Sequence, residues 1–377
     1  MKRFVLAAGV AALMSGPALA ETYETERGAI EVTPVAEGLA DPWGIDFLPD
    51  GSMLITEKGG TLRTVSPDGT LSDPIAGVPD VDARDQGGLL DIAVHPDFAR
   101  NRLVYFTFSE PGQGRVNSTA LARGKLSEDG RGLSDVVVIF SQKPKVASTK
   151  HYGSRIVFDG DGRIFVGLGE RSDEQFRGQA QDLKSHLGKV VRINEDGSVP
   201  PDNPFASGEG GLPEIWSYGH RNIQSAAINP ATGQLWVVEH GPRGGDEINI
   251  AEPGKNYGWP KVSFGVNYNG SPVGTGEARA EGMVDPIYQW TPVIAPSGML
   301  FYSGDAVPEW KGDLFVGGLR SQALVRLELD GGKVVHEERL LTDLGKRIRD
   351  VAQGPDGALY VITDESDASV LRIAGAD

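Results

Sequence analysis

The chain has 377 residues, with 36 basic and 52 acidic side chains for a net charge of −16, and it contains no cysteine. The missing thiols exclude disulfides, thiolate metal centres and thiol nucleophiles. The acidic balance opposes nonspecific contact with nucleic acid or anionic lipid.

The first twenty residues, MKRFVLAAGVAALMSGPALA, have the layout of an export leader. Lys2 and Arg3 precede an apolar run from Phe4 to Met14, and Ala18-Leu19-Ala20 offers small residues for cleavage after Ala20. The expected mature chain, 21–377, is a single domain of charge −18 with no further apolar segment long enough to span a bilayer. It is expected in a Gram-negative periplasm, without membrane insertion, as a monomer.

A segment near Ile30–Val35 comes next, and then a pattern that repeats. IDFLPDGSMLITE (45–57) reads as a short strand, a Pro/Asp/Gly turn and a β-rich strand. LDIAVHPDFARNRLVYFTF (90–108) repeats it, as does STKHYGSRIVFDGDGRIFVGLGE (148–170), whose Asp-Gly turn is a strong hairpin signal. AAINPATGQLWVVE (226–239), MLFYSGDAVPEWKGDLFVGG (299–318) and VAQGPDGALYVITDE (351–365) complete six copies. A sandwich also has recurrent turns, but it does not predict one hairpin six times over most of the chain. The repeat predicts an all-β, six-bladed β-propeller, with Ile30–Val35 completing the last blade.

Certain residues are not required by the strands, and they recur at one register. Gln86 stands before the second hairpin and His151 before the third. Arg221 and Asn222 precede the fourth, and Arg347 and Arg349 the sixth. Such groups are expected to face one common space. Arg347 and Arg349, two residues apart, point to one side of an extended strand. With Arg221 and Arg320 they put four guanidinium groups at the mouth of an acidic protein, which suits a polyanionic, carboxylate-bearing ligand. The plainer alternative is pairing with aspartates such as Asp343 or Asp350. EHGPRGGDEINIAEPGKNYGWP (239–260) is the least strand-like segment, and its Asp246, Glu247 and Asn249 supply oxygen donors of the kind calcium prefers. His95 and His186 are expected to be structural, whereas His220 and His240 have no assigned role.

Taken in order, DQGGLLDIAVHPDF, KHYGSRIVFDGDGRIFVGLGE, EIWSYGHRN, EHGPRGGDEIN, GKNYGWP and KRIRDVAQGPDG carry a resemblance over nearly all of the mature chain. The sequence resembles the soluble aldose sugar dehydrogenases that depend on pyrroloquinoline quinone (PQQ), within the glucose/sorbosone dehydrogenase family. The resemblance implies a six-bladed propeller that oxidises aldoses at the anomeric carbon to lactones. His151 matches the general base. Gln86, Arg221, Asn222 and Tyr268 match quinone-binding positions, as do Gly318-Leu319-Arg320 and Arg347-Ile348-Arg349. Gly241 and Pro242 match calcium ligands through their carbonyls, while Glu247 and the Tyr257 carbonyl match a second Ca2+ site. The implied partners are an aldose and an external electron acceptor.

Two positions depart from the family pattern. Lys150 stands where the glucose dehydrogenase branch has an acidic residue, so glucose specificity does not carry over, and it is expected to disfavour protonated His151. Arg320 replaces a lysine, keeping the charge but not the shape. Two other functions are compatible with a propeller. A calcium-dependent lactonase needs several carboxylates around the channel axis, and a non-catalytic carbohydrate- or protein-binding propeller needs no base.

Overall fold

The computed structural model describes residues 20–376, so the expected leader lies outside the described residues except for Ala20. Six antiparallel sheets follow one another along the chain. Blade I comprises Pro42–Phe47, Met53–Glu57 and Thr61–Val65; blade II comprises Leu89–Val94, Leu103–Pro111, Asn117–Leu126 and Leu133–Ser141. Blade III is built from Gly153–Phe158, Arg163–Leu168, Lys189–Asn194 and Ile215–Tyr218. Blade IV is Ile223–Ile228, Leu235–Glu239, Asp246–Ile250 and Tyr288–Trp290, and blade V is Pro296–Phe301, Leu314–Gly318, Ala323–Asp330 and Lys333–Leu340. Blade VI joins Ile348–Gln353, Leu359–Thr363 and Ala368–Gly375 to Gly28–Leu39 from the other end of the chain.

All six expected hairpins are the inner pairs of these blades. Closure also follows the sequence, since Ile30 and Val32 pair with Gly375 and Ile373. The strand Glu21–Thr25, which adds a fifth member to blade VI, packs only Tyr23 against the core and has no apolar alternation to signal it in the sequence. The segment 239–260 is less irregular than its composition suggests. Asp246–Ile250 is a full strand, because pairing with Leu235–Glu239 outweighs its polar sequence.

Packing explains why the second strands read as nearly unbroken apolar runs. Successive side chains point to opposite faces, and here both faces are covered. In blade III, Ile164 and Val166 pack with Tyr105 and Leu121 of blade II, while Phe165 packs with Ile223 and Val237 of blade IV. A hydrophobic cluster of this kind lies between each pair of neighbouring blades, so the core is a ring.

The first strand of every blade touches its counterparts on both sides, so these strands line the centre. Each is a sheet edge whose inward N–H groups need partners. Aspartates supply several of them. Asp350 of blade VI accepts from Ile45 N–H at 3.1 Å, Asp46 of blade I from Val94 N–H at 2.6 Å, and Asp91 of blade II from Ile156 N–H at 2.6 Å. Arg155 of blade III then bridges Asp91 at 2.8 Å and Asp350 at 2.9 Å. Gly298 of blade V leaves room for this clasp, since a Cβ there would stand 2.1 Å from Asp350 Oδ1.

Candidate active site

In each inner hairpin, the start of the first strand pairs with the end of the second, so both lie at one end of the ring. Residues just before a first strand (Gln86, His151, Arg221, Asn222 and Arg347) therefore meet residues just after a second strand, such as Glu170, His240, Arg320 and Asp364. Two adjoining cavities open there. One of about 310 Å³ is lined by Gln86, Asn222, Arg347, Arg349, Trp43 and Leu90, among others. One of about 460 Å³ is lined by Gly241, Pro242, Tyr268 and Arg320, among others. His240, Ala295, Leu319 and Arg347 belong to both. Beneath the first, the Trp43 ring lies 5.0 Å from the Arg155 guanidinium.

His151 is buried beside the first cavity, between Lys150 and the cavity-lining Tyr152 and Gly153. Its backbone is left-handed, with φ of 50°. Its N–H donates to Gln86 Oε1 at 2.8 Å, and its Nδ1 meets Glu170 Oε2 at 2.6 Å. Gly169 permits this approach, because a Cβ there would lie 2.0 Å from the His151 carbonyl oxygen. An ionised Glu170 only accepts, so Nδ1 carries the proton and Nε2 keeps its lone pair. Burial pushes the His151 pKa down; Glu170 opposes this, and Arg221 and Arg177 reinforce it. The ring is therefore neutral near pH 7. The cations that act on it are these arginines, whereas the residue at the departing position, Lys150, is exposed.

The arginines gather at the mouth without sharing one cavity. Arg347 and Arg349 lie on the same side, as their spacing predicts, and both grip Asp364, at 2.6 Å and 2.8 Å. Neither Asp343 nor Asp350 is their partner, and Asp350 belongs to Arg155. Two guanidinium groups on one carboxylate leave a surplus positive charge. Ile348, between them, turns into the core with blade V. Arg221 is buried, stacks over Trp259 at 5.1 Å and donates to the His240 carbonyl at 3.0 Å. Its Nε is buried without a partner among the described residues, an unspent donor suited to an anion. Arg320 is exposed on the second cavity beside Leu319 and Gly318, and Tyr268 is 70% exposed on its rim.

A third, ion-sized cavity of about 20 Å³ is lined by Glu239, Gly241, Pro242, Glu247 and Tyr257, with Arg221 also at its wall. Glu239 and Glu247 face one another across paired strands, an unfavourable placement for like charges. Burial, and then the Glu239 charge, push Glu247 up to about 8. Asn249, which donates from Nδ2 to both glutamates, has its Oδ1 buried without a partner among the described residues. The Tyr257 hydroxyl is spent on the Ile250 carbonyl. The carbonyls of Gly241, Pro242 and Tyr257 accept no hydrogen bond among the described residues. This set of oxygens fits a hard divalent cation. Gly241 and Pro242 also wall the second cavity, so the two expected calcium positions are neighbours.

Reading the sequence missed Glu170, Asp364, Glu239 and the role of His240. The first two sit just after second strands, at the register of Arg320, and that register was the available signal. His240 donates from Nε2 to the Pro296 carbonyl at 2.7 Å, and burial lowers its pKa to about 3, so it is a neutral wall of all three cavities. His95 and His186 are structural as expected, each bound to a glutamate and a backbone N–H. His220 links Ser217 at 2.9 Å to Glu239 at 2.8 Å, the connectivity of a hydrolytic triad. Ser217 is fully buried, so this group orients Glu239 and offers no nucleophile.

The sequence pattern of the Glucose / Sorbosone dehydrogenase family matches residues 39–372. The chain is 46% identical over 348 residues to aldose sugar dehydrogenase YliI of Escherichia coli, covering 92% of this chain and 93% of that one. It superposes on the apo form of the soluble aldose sugar dehydrogenase from Escherichia coli with a TM-score of 0.88 and 45% identity, over 92% of this chain and 100% of the other. The PQQ-bound aldose sugar dehydrogenase from Streptomyces coelicolor matches with a TM-score of 0.77 and 30% identity, covering 93% and 100%. This chain belongs to the glucose/sorbosone dehydrogenase family.

Proposed function

We propose that this protein oxidises aldoses at the anomeric carbon to lactones, using PQQ and calcium and passing electrons to an external acceptor. One observation carries the reading: a buried, neutral imidazole, oriented by Glu170 with Nε2 free, stands beside a cavity walled by surplus arginine charge. PQQ, when bound, supplies the two-electron acceptor. Arg221, Arg347, Arg349 and Arg320 are suited to its carboxylates, with Gln86, Asn222, Tyr268 and the Gly318-Leu319 turn around it. His151 takes the proton of the anomeric hydroxyl on Nε2, and Glu170 stabilises the resulting imidazolium. The carbonyls of Gly241 and Pro242, and Glu247 with the Tyr257 carbonyl, would hold calcium. Export to the periplasm and cleavage after Ala20 belong to the same proposal.

The lactonase alternative needs open carboxylates around the axis. Asp46, Asp91 and Asp350 are there, but their oxygens are taken by backbone N–H groups and Arg155. To test the main reading, the apoprotein is given calcium and PQQ, and dye reduction is followed with a panel of aldoses. Turnover should require both additions and disappear in His151→Ala. Failure of correctly folded protein to bind PQQ refutes the reading.

A further inference from the structure

We propose that Arg171 is the positioning residue for the base, locking the loop that carries His151. Arg171 is fully buried yet has no carboxylate partner among the described residues. A buried guanidinium without a counter-ion is costly, so its hydrogen bonds should have a purpose. All of them reach the His151 loop or its neighbouring strand. Nε donates to the Lys150 carbonyl at 2.9 Å, and Nη2 to the Ser148 carbonyl at 2.6 Å. Nη1 and Nη2 reach the backbone and side-chain oxygens of Asn117 at 3.2 Å and 2.6 Å. The guanidinium lies 3.9 Å from the Tyr152 ring centre, a cation–π contact. Ser148 Oγ returns a bond to the Arg171 carbonyl at 2.6 Å.

Arg171 thus holds residues 148, 150 and 152, while Glu170, its neighbour in sequence, takes the His151 ring. The loop needs such a hold. His151, Arg171 and Ser172 have φ of 50°, 74° and 66°, a left-handed backbone that non-glycine residues adopt only when their surroundings hold them in it. Lysine cannot replace the fork, since one ammonium has three donors and no planar spread to reach the Lys150, Ser148 and Asn117 oxygens together.

The proposal rests on the dehydrogenase reading above, and its test separates the two. Arg171→Lys is compared with wild type, each loaded with PQQ and calcium. The expected result is a fall in kcat of about 10- to 100-fold with the aldose KM and PQQ affinity changed less than about threefold. In the apoprotein, the ¹⁵N ring signals of His151 should lose the fixed Nδ1–H tautomer, and the His151 pKa should rise as burial relaxes. If Arg171→Lys does not fold, Asn117→Ser withdraws one acceptor from the same fork and is judged by the same readouts. Unchanged ring signals with kcat within twofold of wild type overturn the proposal, even if the melting temperature falls. A wild-type protein that binds no PQQ counts against the dehydrogenase reading, and the ring signals still decide the role of Arg171.

Discussion

Replacing Arg155 with methionine tests whether the central clasp holds the ring together. The change keeps apolar bulk against Trp43 and removes the only cation that is bonded, among the described residues, to Asp91 and Asp350, both about 1% exposed. Removing one partner of a buried ion pair costs about 3–5 kcal/mol. With about 2.1 cal/mol/K of unfolding entropy per residue, about 4 kcal/mol corresponds to a melting temperature about 5 °C lower for a chain of this size. The loss should depend on pH. Burial already raises Asp91 to about 7 and Asp46 to about 6, well above their unfolded values. Groups raised in this way favour the fold at low pH and lose that contribution as pH rises through the folded pKa. Without Arg155 the pKa of Asp91 climbs further, so the variant should be nearest wild type at pH 5 and furthest at pH 8. Thermal unfolding followed by circular dichroism at both pH values measures this. A shift below about 1 °C at pH 8, or one that does not grow with pH, would refute the clasp.

Two further outcomes follow from the site. Glu170→Gln keeps an acceptor for His151 Nδ1 but removes the charge that raises the His151 pKa; the acid limb of kcat against pH should move to lower pH and kcat at pH 7 should fall about 100-fold. An unmoved limb would show that Glu170 does not act through the ring. Glu247→Gln removes one oxygen charge from the ion-sized cavity, so calcium affinity measured by calorimetry should drop at least about tenfold, and a given calcium concentration should raise the melting temperature less than it does in the wild type.

Much of the fold was legible because each blade repeats one hairpin, and local turn chemistry with alternating side chains writes that hairpin into the sequence. The strand Ile30–Val35 could be placed in the last blade because six hairpins need a closing partner. His151, Gln86 and the arginines were visible as polar groups at one register of the repeat. Which acid serves which base was not visible. Asp364 pairs with two arginines across the sixth hairpin, and Asp350, nearer to them in sequence, turns inward to Arg155. Glu170 and Arg171 are adjacent in the chain, yet one takes the His151 ring and the other the backbone of the loop that carries it. Glu239 and Glu247 share a cavity only because two strands pair in one register. The sequence by itself determined the repeat, the strands and the set of chemically unusual residues, because these follow from turns and alternation within a few residues. Only the tertiary structure decided partners, protonation and charge balance, because these depend on distances across blades that no local pattern encodes.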